Sequence, residues 1–162
     1  MKNKTFLLLG TNLGDRKKNL TVARNSIELN VGPIIKASTI YRTAAWGKTD
    51  QPDFLNQAVE VETEFPATRV LKEILEAERI MGRMRSVKWS ERLIDIDILF
   101  YGNSVVNTPE LTIPHPQLPH RRFALVPLAE IAPDFIHPLL NLTIAALLER
   151  CPDLLEVTAV ER

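Results

Sequence analysis

The sequence predicts an α+β fold: a ferredoxin-like βαββαβ sheet followed by additional C-terminal helices, stacked as three layers, α-β-α. Three observations carry that expectation. Apolar periodicity alternates between strand and helix in the order β-α-β-β-α-β as far as Tyr101. Seven of the eleven prolines then crowd between Pro109 and Pro138, where apolar residues such as Ile113, Phe123, Leu125, Val126, Leu128 and Ile131 still recur, so that stretch reads as folded loop and short helix. Finally, 162 residues at 45% hydrophobic content suffice for one real core. A single domain over 1–162 is expected.

The elements follow in order. Thr5 to Leu9 is a short apolar strand ended by Gly10-Thr11-Asn12-Leu13-Gly14. Asp15 opens a helix to about Leu29, with Leu20, Ala23 and Ile27 on one face and Gly32-Pro33 as the stop. Ile34 to Tyr41 and Phe54 to Glu62 are strands, the second setting Leu55, Val59 and Val61 against Phe54, Asn56, Ala58 and Glu60. A helix after Pro66 carries the stripe Val70, Leu71, Ile74, Leu75 and Met81, with Gly82 near its end. Ile94 to Tyr101 is the clearest strand, with Ile94, Ile96, Ile98 and Phe100 on one face and Asp95, Asp97, Leu99 and Tyr101 on the other. Leu142 to Arg150 closes as a helix. If the apolar strand faces meet the first two helices, Phe54, Asn56, Asp95 and Asp97 share the opposite face, which the later segments cover only in part. Chemistry is expected there.

Charge narrows the function classes. Twenty basic and twenty acidic side chains leave no net charge, which argues against a general nucleic-acid or anionic-membrane binder. No run approaches the roughly 20 apolar residues a membrane helix needs, and lone Cys151 allows no internal disulfide. A cytoplasmic protein is expected. Asp95 and Asp97, two apart on a strand, have Cα atoms about 6.5 to 7 Å apart on one face. At about 6 Å separation and an effective dielectric of 20, two carboxylates repel by roughly 3 kcal/mol, so an enclosed pair favours either a raised pKa or a bound divalent ion, and hard oxygen ligands suit magnesium. An isolated Asp-x-Asp is more often a solvated strand face, but here the context differs. From Arg79 to Arg92 the chain holds Arg79, Arg83, Arg85, Lys88 and Arg92 against Glu91, a local charge of +4 leading into the aspartate strand. Guanidinium forks suit phosphate, so a polyphosphate could bridge arginine and metal. Glu78 falls on the apolar stripe of its helix and needs a partner, either a nearby arginine or a ligand. The three histidines, His115, His120 and His137, lack metal-site spacing. His115, near Arg121 and Arg122, is either a second anion contact or structural. The Gly10 to Gly14 turn lacks the Gly-Lys-Ser/Thr ending of a phosphate loop and reads as structural.

These motifs, in this order, resemble one family along almost the whole chain. They are Gly10-Thr11-Asn12-Leu13-Gly14, Tyr41-Arg42-Thr43 with Gly47, Asp50-Gln51-Pro52, Phe54-Leu55-Asn56, Glu78, Gly82-Arg83-x-Arg85, Trp89, and Arg92 to Gly102 around Asp95-Ile96-Asp97. Ile113-Pro114-His115, Arg121, Phe123, Pro127-Leu128, Glu130-Ile131 and His137-Pro138 complete the set. The sequence is similar to the 6-hydroxymethyl-7,8-dihydropterin pyrophosphokinases of folate biosynthesis. The resemblance implies ATP- and magnesium-dependent transfer of pyrophosphate to the pterin hydroxymethyl group, leaving AMP. It implies that Asp95 and Asp97 hold two magnesium ions and, with Arg83 and Arg92, form the catalytic set. It assigns Glu78, Arg85, Trp89, Ile98, Leu111, Thr112, His115 and Arg121 to the nucleotide. It assigns Thr43, Ala44, Ala45, Trp46, Phe54, Asn56 and Phe123 to the pterin. The segment from Gly82 to Glu91 is expected to act as a nucleotide-ordered lid.

The chain departs from the family pattern at Ala44 and Ala45, where prolines are frequent, and at Ser90 and Glu91, where Gly-Pro often precedes the arginine. Leu75 and Glu110 replace a polar and a basic nucleotide contact of some members. The expected partners are ATP and the dihydropterin, without nucleic acid or membrane, in a monomer or weak dimer. Two other readings stay open on the sequence: an RNA-binding sheet using the Arg83 to Arg92 patch with Trp89, and an ordinary kinase that makes ADP.

Overall fold

The computed structural model describes residues 2–44, 52–83 and 93–160, with the backbone alone at residue 83. β1 spans Asn3–Thr11, α1 Arg16–Asn30, β2 Ile34–Ala37, β3 Ile40–Thr43, β4 Phe54–Thr63, α2 Ala67–Arg83 and β5 Asp95–Tyr101. A short hairpin, β6 (Val106–Asn107) and β7 (Thr112–Ile113), leads through a 3-10 turn at Leu118–His120 to α3 (Arg122–Ile131), α4 (Ile144–Arg150) and β8 (Val157–Val160).

Local chemistry explains the boundaries. Asp15 caps α1 by accepting the Lys18 N–H at 3.1 Å. The helix stops before Gly32, where a Cβ would lie only 2.0 Å from the Glu62 carbonyl oxygen, so the chain passes there only as glycine. The expected strand Ile34 to Tyr41 is broken into β2 and β3. At the break Ser38 turns inward, donating its N–H to the Ala58 carbonyl and accepting the Ala58 N–H at its own hydroxyl.

The sheet is antiparallel in every pairing among the described residues, in the order β5-β1-β4-β3-β8, with β2 also on β4. Up to β5 this is the predicted ferredoxin-like arrangement. The sheet has six strands rather than four, because β2 and β3 are separate and β8 adds to β3. Periodicity left β8 unpredicted: Val157-Thr158-Ala159-Val160 is short and lies at the sheet edge, half exposed.

Two cores sandwich the sheet. One joins Leu7, Leu9, Val59, Val61, Ile96 and Ile98 to Leu20, Ala23 and Ile27 of α1 and Val70, Ile74 and Met81 of α2. The other joins Phe6, Leu8, Ala58, Leu99 and Phe100 to Leu125, Leu128 and Ile131 of α3 and Ile144 and Leu147 of α4. Phe135 closes the second core, its ring centroid 5.1 Å from Phe6 and 4.7 Å from Phe100. The expected helix in the proline-rich stretch is therefore real, ten residues long, with Pro127 inside it.

Strict alternation fails at the end of β5. Phe6 pairs with Phe100 but Leu7 pairs with Ile98, so Leu99 is an extra residue. The expectation that Phe100 faces the first two helices and Tyr101 the other side is corrected. Phe100 packs against α3 and α4, while Tyr101 turns to the first core and donates its hydroxyl to the Phe65 carbonyl at 2.5 Å. The bulge lies after Asp97, so the aspartates keep the face their spacing predicts.

Candidate active site

Residues directly opposite each other on neighbouring strands point to the same face. Gly10 of β1 stands between Asn56 of β4 and Asp95 of β5, Leu8 pairs with Asp97, and Thr43 of β3 pairs with Phe54. The register thus gathers aspartates, amide, hydroxyl and aromatic ring at one end of the face that α3 and α4 cover. At that end the helices stop short, leaving a cavity of about 650 Å³. Its floor is Leu8, Gly10, Thr43, Phe54, Asn56, Asp95 and Asp97, with Ala44 at the rim. Gln117, His120, Arg121 and Phe123 form one wall, and Pro152, Asp153 and Leu155, from the chain between α4 and β8, form another.

Each polar group there has a distinct state. Asn56 is buried, with Gly10 beneath its carboxamide: a Cβ on Gly10 would lie 2.6 Å from Asn56 Oδ1. Among the described residues, Thr43 Oγ1 is the buried side-chain polar atom with no hydrogen-bond partner. A buried hydroxyl left unpaired costs about 1 to 3 kcal/mol, a cost that a polar ligand in the cavity relieves. The Arg121 guanidinium sits 5.7 Å from the centroid of the Phe123 ring, so cation and ring present one surface.

Asp95 and Asp97 are half-buried. Among the described residues no three His, Cys, Asp or Glu side chains are arranged to hold a metal. Two carboxylates with room for water or ligand oxygens suit magnesium, which usually keeps several waters and binds through one or two carboxylates plus substrate phosphates. The donor set fits that ion.

β5 lies at the sheet edge, and its outer side is tied down. Glu78 of α2 accepts the Ile96 N–H at 2.8 Å, between the two aspartates, and the Leu99 carbonyl accepts the His115 N–H at 3.0 Å. His115 Nδ1 accepts the Gln117 N–H at 3.2 Å, which places the proton of the neutral ring on Nε2. Burial pushes the His115 pKa below the ordinary 6.5; nearby Asp97 opposes that shift and Arg121 adds to it. Asp97, His115 and Arg121 therefore form one electrostatic group.

A family model for 7,8-dihydro-6-hydroxymethylpterin-pyrophosphokinase (HPPK) matches residues 6–133. The chain belongs to this family. It is 37% identical over 134 residues to the 2-amino-4-hydroxy-6-hydroxymethyldihydropteridine pyrophosphokinase of Haemophilus influenzae, covering 82% of this chain and 84% of that one. To the Methylorubrum extorquens enzyme of the same name it is 41% identical over 134 residues, 82% of this chain and 85% of that one. The fold is that of wild-type Plasmodium falciparum HPPK-DHPS, solved with pteroate, at a TM-score of 0.75 and 19% identity over 93% of this chain. This chain spans 44% of the Plasmodium one. Its activity is ATP-dependent pyrophosphoryl transfer to hydroxymethyldihydropterin in folate synthesis.

The structure brings Asp95, Asp97, Thr43, Ala44, Phe54, Asn56, Arg121 and Phe123 to the one cavity. The other described candidates lie elsewhere. Glu78 faces the back of β5 rather than the cavity, Ile98 and Leu111 are buried in the first core, and Thr112 is exposed on β7. His115 lies beside the cavity, not on its lining. Ala45, Trp46, Arg85, Trp89 and Arg92, the side chain of Arg83 and the expected lid beyond residue 83 lie outside the described residues, whereas Gly82, the expected start of that lid, is still in α2. Sequence reasoning missed Gln117, His120, Pro152, Asp153 and Leu155. Only the last three had no local signal at all, since they reach the cavity through the pairing of β8 with β3.

Proposed function

We propose that the cavity seats the dihydropterin between the rings of Phe54 and Phe123, with Asn56, Thr43 and the backbone near Ala44 and Ala45 reading its polar edge. Trp46 borders the same substrate, and Trp89 belongs with the nucleotide. The carrying observation is convergence: one cavity of about 650 Å³ joins an amide, an unpartnered buried hydroxyl and two aromatic rings to a pair of aspartates. Such a mixture suits a flat heteroaromatic ring bearing a group that reacts beside a metal-bound phosphate. Asp95 and Asp97 hold two magnesium ions in this reading. Magnesium, when bound, neutralises charge on the triphosphate and on the oxygen that leaves.

The chain's own residues bind and align. Arg83, Arg85, Arg92, His115 and Arg121 hold phosphate oxygens, the arginines as permanent charges and neutral His115 as an Nε2–H donor. Adenosine lies over the edge where β5 meets β7, where Ile98 and Leu111, nearly buried, offer backbone and Thr112 its exposed hydroxyl. Glu78 serves the nucleotide side by holding β5. The hydroxymethyl oxygen attacks the β-phosphorus, its proton departs, the bond from that phosphorus to the bridging oxygen breaks, and AMP leaves with that oxygen. Positioning and charge complementarity provide most of the acceleration. The enzyme acts as a monomer, and Cys151, a free thiol, fits a reducing cytoplasm. The test is product analysis with ATP, magnesium and the hydroxymethyl dihydropterin. AMP and pterin diphosphate in equal amounts, lost in Asp95→Ala and Asn56→Ala, are expected. Normal turnover in Asn56→Ala would remove the pterin placement, and normal turnover in Asp95→Ala the metal placement.

A further inference from the structure

The first turn of α3 carries Arg121 and Phe123 into the cavity, yet it lacks the usual means of holding itself. Its N-cap residue, Arg121, makes no side-chain capping bond. Pro127, four residues after Phe123, has no N–H to give the Phe123 carbonyl. The missing acceptor arrives from far along the chain. Asp153 Oδ2 accepts the Arg122 N–H at 3.1 Å, and Asp153 Oδ1 accepts the Leu155 N–H at 2.9 Å. One carboxylate thus ties the start of α3 to the segment that enters β8, with its negative charge at the positive end of the helix. Asp153 and Leu155 also line the cavity. Asp153 and Leu155 lie beyond residue 133, where the match to the family model ends, while the helix start that they hold lies inside it.

We propose that Asp153 is a positioning residue for the pterin end of the site, acting through Arg122 and Leu155 to set Phe123 and Arg121 against the substrate. The segment from Pro152 to Leu155 is then a specificity wall supplied by the part of the chain outside the family match. The inference rests on the pterin placement proposed above. A small displacement of the Phe123 ring changes how the pterin is held while leaving the aspartates on β5 where they are. Misplacement of about 1 Å costs up to about 10²-fold in such sites.

The experiment compares Asp153→Ala, Asp153→Asn and Thr143→Ala in the full chain. Thr143 caps α4 in the same manner, accepting the Ala146 N–H at 3.1 Å, but lines no part of the cavity. Loss of either cap lowers melting temperature, so melting alone does not discriminate. The expected result is a KM for the pterin raised about 10- to 100-fold in Asp153→Ala, with the KM for ATP changed less than threefold. Thr143→Ala leaves both near wild type. Asp153→Asn, which keeps one acceptor oxygen and tests the idea if the alanine variant does not fold, recovers part of the loss. An unchanged pterin KM in Asp153→Ala, or equal rises for both substrates, overturns the proposal. For Asp153→Asn, an unchanged pterin KM together with melting lowered as in Thr143→Ala overturns it too. Asn56→Ala, run alongside, separates the two ideas: if it too spares pterin binding, the substrate placement fails, whereas if it destroys binding and Asp153→Ala is silent, only the role of Asp153 fails.

Discussion

A Cβ atom at position 10 would stand 2.6 Å from Asn56 Oδ1, inside any real contact distance. Gly10→Ala therefore moves the Asn56 amide without touching its chemistry. The expected outcome is a pterin KM raised at least about tenfold, with kcat altered less and melting little changed; steady-state kinetics in both substrates check it. The aspartates behave differently. Asp95→Ala or Asp97→Ala removes charge repulsion that the protein tolerates without metal, so each variant should melt at or slightly above wild type in chelator. Each should lose about 10² to 10⁴ in kcat, the scale of charge contacts to a transferring phosphoryl group. Rates and melts measured on the same samples must diverge; a parallel fall in both would mean that the residue is structural.

Among elements, β5 is the one whose placement matters most, and it is an edge strand. Its inner side is bonded to β1, while its outer side is held by Glu78 at Ile96 and by the His115 backbone at Leu99. Glu78→Ala frees the Ile96 N–H between the two metal-binding candidates. The magnesium concentration giving half-maximal rate should rise about tenfold, as when a supporting partner of a metal ligand is lost. Glu78→Gln, which still offers an acceptor oxygen, should lie nearer wild type. Magnesium titrations of the initial rate decide this, and an unchanged midpoint in Glu78→Ala would reduce the contact to edge protection. Helix α3 is anchored at both ends by carboxylates. Glu130 accepts from the Thr39 backbone N–H and hydroxyl and from the Tyr41 hydroxyl, and Asp153 accepts at the start. That explains how a helix containing proline holds one wall of the site.

For the whole molecule, the two helix layers decide which functions are open. An RNA-binding ferredoxin-like sheet uses the face opposite its two helices as a stacking platform, but here α3 and α4 bury most of that face in a second core. What remains among the described residues is an open-mouthed cavity of about 650 Å³, suited to a small substrate. Stability should also depend on pH through His137, whose buried Nδ1 accepts the N–H groups of Leu139 and Leu140 at 3.1 Å each. Burial lowers its pKa from 6.5. Above pH 6.5 both folded and unfolded chains carry neutral imidazole. As pH falls below that value the unfolded chain takes up the proton first, and stability is lost through the folded pKa. Calorimetric melting temperature should therefore drop from pH 7.5 to pH 5.5. His137→Asn should cost about 1 to 3 kcal/mol at pH 7.5 by disturbing both bonds, and flatten the pH dependence.

The sequence alone determined the element order through Tyr101, the common face of Phe54, Asn56, Asp95 and Asp97, and, through its ordered motifs, the family. These are properties of short spacing: two-residue strand parity and 3.6-residue helix parity are written into neighbouring residues. Tertiary structure decided the rest. The bulge at Leu99 reversed Phe100 and Tyr101 because pairing with Phe6 and Leu7 left one residue over, and nothing in Ile98-Leu99-Phe100 alone marks it. The break at Ser38 depends on Ala58, twenty residues away. Glu78 showed its anomaly in sequence as a carboxylate on an apolar stripe, but its partner, a backbone N–H of β5, carries no side-chain signature. Asp153 reads as an ordinary loop residue until β8 folds back along β3 and sets it against α3. Contacts made by backbone groups across long loops leave no periodic trace, so only the folded chain reveals them.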